Sequence, residues 1–241
     1  MDRSTISPRV PTITDALPDP AGIYTPGGLR VYDSFVMGLL AERVWGCPAE
    51  QFVGFYREHL KPAHADIGVG TGYCIDRCEP GPTERLALID LRQSCLDYCA
   101  ERLGRFHPET FVRDARMPIL IDAHRFDSIG LGGLLHSLPG DMRDKGDVFD
   151  AIAPIAAPGA VVFGYTLVRD GAHATLTRRT VHRALNALRV IDNDSDHMAD
   201  LAAELARRFT DCRLRLIGSV AFFSAIVRST PIFKHSPGDA I

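Results

Sequence analysis

Three carboxylates in the sequence close short apolar runs, and bare backbone follows the first. Asp66 lies in "HADIGVGTGYCID" (64–76), where Gly68, Gly70 and Gly72 form the pattern G-x-G-x-G. Such a stretch turns sharply and lets a ligand reach its amides without Cβ obstruction. Asp90 ends "LALID", 24 positions after Asp66, near the ~20-residue separation at which an acid of a nucleotide fold accepts hydrogen bonds from ribose hydroxyls. Asp114 ends "TFVRD" and is followed by small Ala115, so a carboxylate acceptor for an adenine amino group would have space for the ring beside it. Each feature has a plainer reading. A strand-to-helix turn needs glycine for shape alone, and Asp90 could cap a helix starting at Arg92. Together, three acids at successive strand ends point to an adenosyl ligand.

The glycine spacing narrows the ligand. A pyrophosphate fingerprint is G-x-G-x-x-G, but here the third glycine comes one residue early and Tyr73 holds the next position. The carboxylate Asp66 at the start of the loop would repel phosphate and suits an amino group or a sulfonium. S-adenosylmethionine (SAM) fits these charges better than a dinucleotide. Methyl transfer from SAM expels a neutral thioether, so it needs alignment and exclusion of water more than an acid or a metal. His136, in "LLHSLPG" after the fourth strand, is the candidate base for a hydroxyl acceptor; alternatively it bonds backbone and holds its loop. Tyr32 is placed against the cofactor, with simple packing as the alternative. Trp45 reads as an anchor for the N-terminal helix.

These residues need a scaffold. The chain has 241 residues, suited to one α/β domain with an added segment. A formal net charge of −3 gives no footprint for a phosphate backbone, so nucleic acid is not expected as a partner. The N-terminal stretch carries no apolar core of signal length, and no run approaches a membrane span, so a cytoplasmic protein without membrane contact is expected. Six cysteines, including the pairs Cys74/Cys78 and Cys95/Cys99, lack ligand spacing with histidine and read as buried apolar residues, with no metal.

Residues 1–20 read as a disordered or draped arm, and 21–62 as a helical cap. In the cap, Tyr32, Phe35, Val36, Leu39, Leu40 and Val44 recur at helical steps, and Ala49 to His59 forms a second helix. From 63 to 241, strand-like runs at Ala65–Gly68, Leu86–Leu91, Thr110–Ala115, Phe126–Leu131 and Ala160–Val168 alternate with helical stretches. This predicts a doubly wound, mostly parallel sheet. Near the end, "RLRLIGSVAFFSAIVR" holds two strands joined only by Gly218-Ser219, which requires an antiparallel hairpin.

"ADIGVGTGY", "LALIDL", "VRDAR", "FDSIGLGGLLHSLPG" and "APGAVVFGYTLV" together resemble the successive motifs of class I SAM-dependent methyltransferases. More narrowly, "YDSFVMGLLAERVWGCP", "LLHSLPG" with the following Lys145, and "GSVAFFSA" resemble a branch of small bacterial and fungal enzymes, several from secondary metabolism. The resemblance implies a Rossmann-like, seven-stranded α/β fold and methyl transfer to a small molecule. It makes Asp66, Gly68, Gly70 and Gly72 the methionine-end loop, Asp90 and Leu91 the ribose contact, and Asp114 with Ala115 the adenine contact. It also implies that Gly130 and Leu131 line the opening near the sulfur. An acceptor lid at about 175–210 would carry His182 and Asn186, and with them Asn193, toward the substrate, with helix surface and capping as the alternative roles for these three. Gly132 and Gly133 depart from the branch, which often has a bulky or amide residue there. Oxygen is the favoured methyl acceptor because of His136. An alternative is a cyclase on the same fold that uses the cofactor's charge without methyl transfer; a non-catalytic binding subunit is a third reading. The oligomeric state is not encoded legibly.

Overall fold

The computed structural model describes residues 24–121, 125–170 and 176–229; the N-terminal arm predicted at 1–20 lies outside them. Seven strands form one sheet in the order β3-β2-β1-β4-β5-β7-β6. They are β1 (Ala63–Ile67), β2 (Arg85–Asp90), β3 (Glu109–Val112), β4 (Phe126–Gly132), β5 (Ala156–Leu167), β6 (Phe209–Ile217) and β7 (Val220–Val227). The first five run parallel. β7 is antiparallel to both β5 and β6, because the two residues between β6 and β7 permit only a reversal. Gly218 takes φ +59° there, and a Cβ would stand 1.9 Å from the Trp45 carbonyl oxygen. That close approach seats the hairpin turn on the cap, where Ser219 N–H also donates to Trp45 O at 2.8 Å.

Strand periodicity divides the core between the two faces. Leu86 and Leu88 of β2 pack with Phe52, Phe55, Cys95 and Cys99 on one face; Ala87 and Ile89 pack into a second cluster with Phe149, Leu201 and Leu205 on the other. Helices α1 (Pro26–Tyr32), α2 (Ala41–Arg43), α3 (Ala49–His59), α4 (Tyr73–Asp76) and α5 (Gln93–Arg102) contribute to the first layer. Helices α6 (Met142–Lys145), α7 (Asp147–Ala151) and α9 (Met198–Arg208) contribute to the second. Helix α8 (Leu176–Ala187) follows β5. Among the described residues no helix is long and apolar enough to cross a membrane. All six cysteines are free, five of them buried.

One element departs from its sequence pattern. Residues Asp33–Leu40 are a π-helix between α1 and α2, so the period widens beyond 3.6 residues. Met37, Leu40 and Ala41 turn inward, while Phe35 and Leu39, expected on the buried stripe, remain 53% and 42% exposed. Helical phase computed at 3.6 residues per turn puts those two side chains on the wrong side.

Candidate active site

The strand order reverses between β1 and β4, and ligands of such sheets bind beyond the carboxyl ends at that point. A cavity of ≈ 1030 Å³ opens there, at the upper end of the range for small-molecule sites. Asp66, Asp90 and Asp114 all line it, together with Gly68, Gly70, Gly72, Leu91, Ala115 and Tyr32. The sequence-predicted cluster is therefore one site in space.

The loop after β1 has positive φ at all three of its glycines. At Gly72 a Cβ would stand 2.6 Å from Cys99 Sγ, so the turn packs directly on α5. At Gly70 a Cβ would meet nothing within 4 Å; that side of the residue is open, while its N–H bonds Asp90. The loop is held from outside by Arg102, whose Nη1 donates to Thr71 O at 3.0 Å and to Asp33 Oδ2 at 2.6 Å. Thr71 Oγ1 donates to the other oxygen of Asp33, also at 2.6 Å. The first residue of the π-helix is thus bonded to the glycine loop.

The three acids sit in different electrostatic settings. Asp66 is only 4% exposed, and burial pushes its pKa up to about 8, against hydrogen bonds from Tyr56 and Ile67 that pull it down. No cationic side chain pairs with it among the described residues, so a buried carboxyl lies in the cavity wall without a counter-charge. Asp90 is raised by burial and opposed by backbone N–H groups of Arg92, Gly70 and Leu91; its Oδ1 accepts from Arg92 N at 2.9 Å. Asp90 does not cap α5, since Arg92 holds the N-cap position and no side chain bonds there. Asp114 accepts from Arg116 N at 2.9 Å and pairs with its guanidinium at 3.3 Å, which fixes the carboxylate at the rim.

Two residues predicted beside the sulfur lie elsewhere. Leu131 is fully buried in the second cluster, and Gly130 is enclosed, with a Cβ placed 3.1 Å from Asp66 Oδ1 and 3.2 Å from His64 Cε1. The reason is strand length: β4 continues to Gly132, so the residues that reach the cavity are Gly132 and Gly133. A Cβ on Gly132 would lie 2.3 Å from the Tyr56 hydroxyl and 3.0 Å from Tyr165 Cε1. This glycine therefore makes room for two tyrosines that also line the cavity and that sequence reasoning missed. They arrive through long-range packing: Tyr56 on α3 and Tyr165 on β5 are joined by a ring cluster with Phe52, Phe163 and Phe222.

On the acceptor side, Asn186 reaches the cavity and His182 does not. Asn186 Nδ2 donates to His182 O and to Asn193 Oδ1, both at 3.1 Å, while His182 Nε2 is buried without a partner among the described residues. Asn193 is fully buried and donates to Leu167 O at 3.1 Å, a scaffold bond rather than a substrate contact. Lys145, also fully buried, donates to Asp196 Oδ2 at 2.6 Å and to Asp192 O; Asp192 N–H donates to His136 O at 2.7 Å. The loop after α8 is thereby tied to the His136 segment.

His136 lines the cavity. Burial first, then the charges of Lys145 and His182, push its pKa down to about 3. Its Nδ1 accepts from Leu167 N–H at 3.3 Å and lies 3.4 Å from Thr166 Oγ1.

Comparison with known proteins agrees with this geometry. The chain is 32% identical to demethylluteothin O-methyltransferase of Streptomyces thioluteus over 203 residues, 84% of this chain and 88% of that one. It is also 32% identical to methyltransferase ctvB of Aspergillus terreus over 209 residues, 84% and 91% of the two chains. Among solved structures, the complex of DhpI with S-adenosylhomocysteine (SAH) superposes with a TM-score of 0.62 at 13% identity, over 85% of this chain and 93% of that one. No family model matches the sequence. The chain belongs to the class I SAM-dependent methyltransferases.

Proposed function

We infer that this methyltransferase acts on a hydroxyl oxygen of a small secondary metabolite, with the residues of the cavity in the following roles. Asp90 and Leu91 hold the ribose, Asp114 and Ala115 the adenine, and the Gly68–Gly72 loop with Asp66 and Tyr32 the amino-acid end of SAM. One observation carries the assignment: a buried carboxyl without a counter-cation, Asp66, shares a single cavity with the acids at the next two strand ends. An uncompensated buried acid suits a cationic ligand and opposes a pyrophosphate.

SAM, when bound, supplies an electrophilic methyl group on a cationic sulfur. The protein's own contribution is positional. Tyr56 and Tyr165, placed beside Gly132, shape the wall between the glycine loop and His136, and Asn186 with the loop at 190–196 borders the acceptor end. Exclusion of water and alignment of oxygen, carbon and sulfur are what such a wall provides. The O-methylation named for the Streptomyces relative supports oxygen as the acceptor. Six free thiols support a reducing, cytoplasmic setting.

Mass spectrometry of reactions with SAM and hydroxylated small molecules tests the reading. One SAH and one O-methylated product per turnover are expected. Turnover of the acceptor with SAM left intact would assign the protein to cyclases on this fold instead.

A further inference from the structure

His136 is fixed by a strand that ran out of partners. β4 pairs with β5 as far as Gly132 opposite Tyr165, and Gly133 N–H extends the ladder to Tyr165 O at 2.9 Å. β5 continues to Leu167. Its next inward N–H, on Leu167, donates to His136 Nδ1, and its carbonyl accepts from Asn193. A backbone N–H can only donate, so Nδ1 must present its lone pair and a neutral imidazole carries its proton on Nε2. Among the described residues no hydrogen bond reaches Nε2, whereas the Nε2 atoms of His64 and His182 are buried without a partner. The ring thus offers the cavity an N–H donor and has no vacant basic nitrogen while the Leu167 bond stands.

The surrounding charges work in the same sense. Lys145, whose charge acts on the ring, is paired with Asp196, and His182 is 3.7 Å from Asp194. At the mouth, Arg183 and Arg189 line the cavity without an acidic partner among the described residues. Asp192 and Asp194 also stand there, exposed, and Asp194 is shared with Arg169 at 3.7 Å.

We propose that His136 is a fixed hydrogen-bond donor and that the enzyme selects acceptors whose hydroxyl ionises by itself near neutral pH: enols of 1,3-dicarbonyl type and electron-poor phenols. This rests on the oxygen-acceptor reading above. The acceptor proton passes to water before transfer. The oxyanion is held by His136 Nε2–H, and its lone pair forms the C–O bond as the C–S bond breaks and its electron pair returns to sulfur. Ordinary phenols are disfavoured by arithmetic: with a pKa of ~10, about one molecule in a thousand is ionised at pH 7.

The test has two arms. In the free protein, ¹⁵N NMR of labelled histidines, with His136 assigned from its loss in His136→Gln, should show an Nε2–H tautomer from pH 5 to 9. An Nδ1–H tautomer, or titration of His136 between pH 6 and 8, overturns the proposal. In the second arm, 4-hydroxycoumarin and 4-nitrophenol should be methylated, and phenol at least about a hundredfold more slowly, at pH 7, with a rate that follows acceptor ionisation. Gln can accept from Leu167 and still donate, so His136→Gln should lose about tenfold or less in kcat, whereas removing a base costs about 10²- to 10⁴-fold. A base-sized loss in His136→Gln or in Asp192→Asn, equal rates with phenol, or no turnover of either acidic acceptor defeats the assignment. Methylation at nitrogen or carbon instead defeats the oxygen reading and leaves the tautomer result standing by itself.

Discussion

The Tyr56 hydroxyl donates a hydrogen bond to Asp66 Oδ1 at 3.3 Å, joining the helical cap to the end of the first strand inside the protein. Both groups are buried, and burial drives both pKa values upward, that of Asp66 to about 8. Free protein at pH 7 therefore holds Asp66 mainly protonated. The sign of the linkage follows. A carboxyl raised above its unfolded value binds its proton more tightly in the folded state, so its contribution to stability falls as pH climbs from about 4 toward 8. A cationic ligand beside it favours the ionised form and expels the proton.

Binding of SAM at pH 7 is accordingly expected to release close to one proton, with affinity rising about tenfold per pH unit up to about pH 8. Calorimetry in buffers of different ionisation enthalpy measures the release directly. Asp66→Asn should abolish the buffer dependence and weaken binding. An equal release in that variant would take the proton away from Asp66.

The acids of this site are legible in the sequence because each stands within two residues of a strand's carboxyl end, and strand period with turn chemistry fixes where strands end. Asp66, Asp90 and Asp114 meet for that reason alone. Gly130 and Leu131 were misplaced because β4 runs through Gly132, and a shift along a strand exchanges a wall position for a core one. The π-helix hid Phe35 and Leu39 in the same way: a local change of period moved side chains to another face. Tyr56 and Tyr165 carry no local signal. They reach the site through an aromatic cluster assembled from the cap, β5 and β7, contacts that no spacing along the chain encodes.

Gly132 should be intolerant of a side chain for a specific reason. Its Cβ would stand 2.3 Å from the Tyr56 hydroxyl, so Gly132→Ala must push that hydroxyl away from Asp66. Since φ at this position lies outside the left-handed region, strand geometry itself is not threatened. We expect cofactor affinity to fall about tenfold, the worth of one hydrogen bond, together with a loss of about 1–3 kcal/mol in urea unfolding from overpacking beside the two tyrosines. A drop in stability without a drop in affinity would contradict the coupling through Tyr56.

Lys145 and Asp196 form an ion pair with both side chains fully buried. Burial, set against Lys145, still leaves the Asp196 pKa at about 6, so the acid depends on its partner. Lys145→Met strands that acid and frees the Asp192 carbonyl, and should cost about 3–5 kcal/mol in urea unfolding. Lys145→Met combined with Asp196→Leu should recover much of that loss, because no unpaired charge remains. If the double variant is as unstable as the sum of the singles, the two residues act independently. Methyl transfer should fall in the single variant even where it stays folded, since Asp192 N–H holds the His136 carbonyl.

Asp90 offers the most direct check on the cofactor assignment. Its carboxylate is steadied by Arg92 N–H at 2.9 Å and by the Gly70 and Leu91 amides, an arrangement that fixes the group before any ligand arrives. About four lone-pair positions exist on a carboxylate, so these amides leave acceptor capacity facing the cavity. Asp90→Ala should weaken SAH binding by about 1.5–3 kcal/mol, typical of hydrogen bonds to a charged group, or roughly 10- to 150-fold. Asp90→Asn keeps an acceptor for Arg92 N–H, so the loop should hold and the loss should be smaller. Calorimetry at fixed pH compares the two. Equal, wild-type affinity in both folded variants would remove Asp90 from the ribose contact, whereas a loss confined to alanine would assign Asp90 to support of the glycine loop rather than to the ligand.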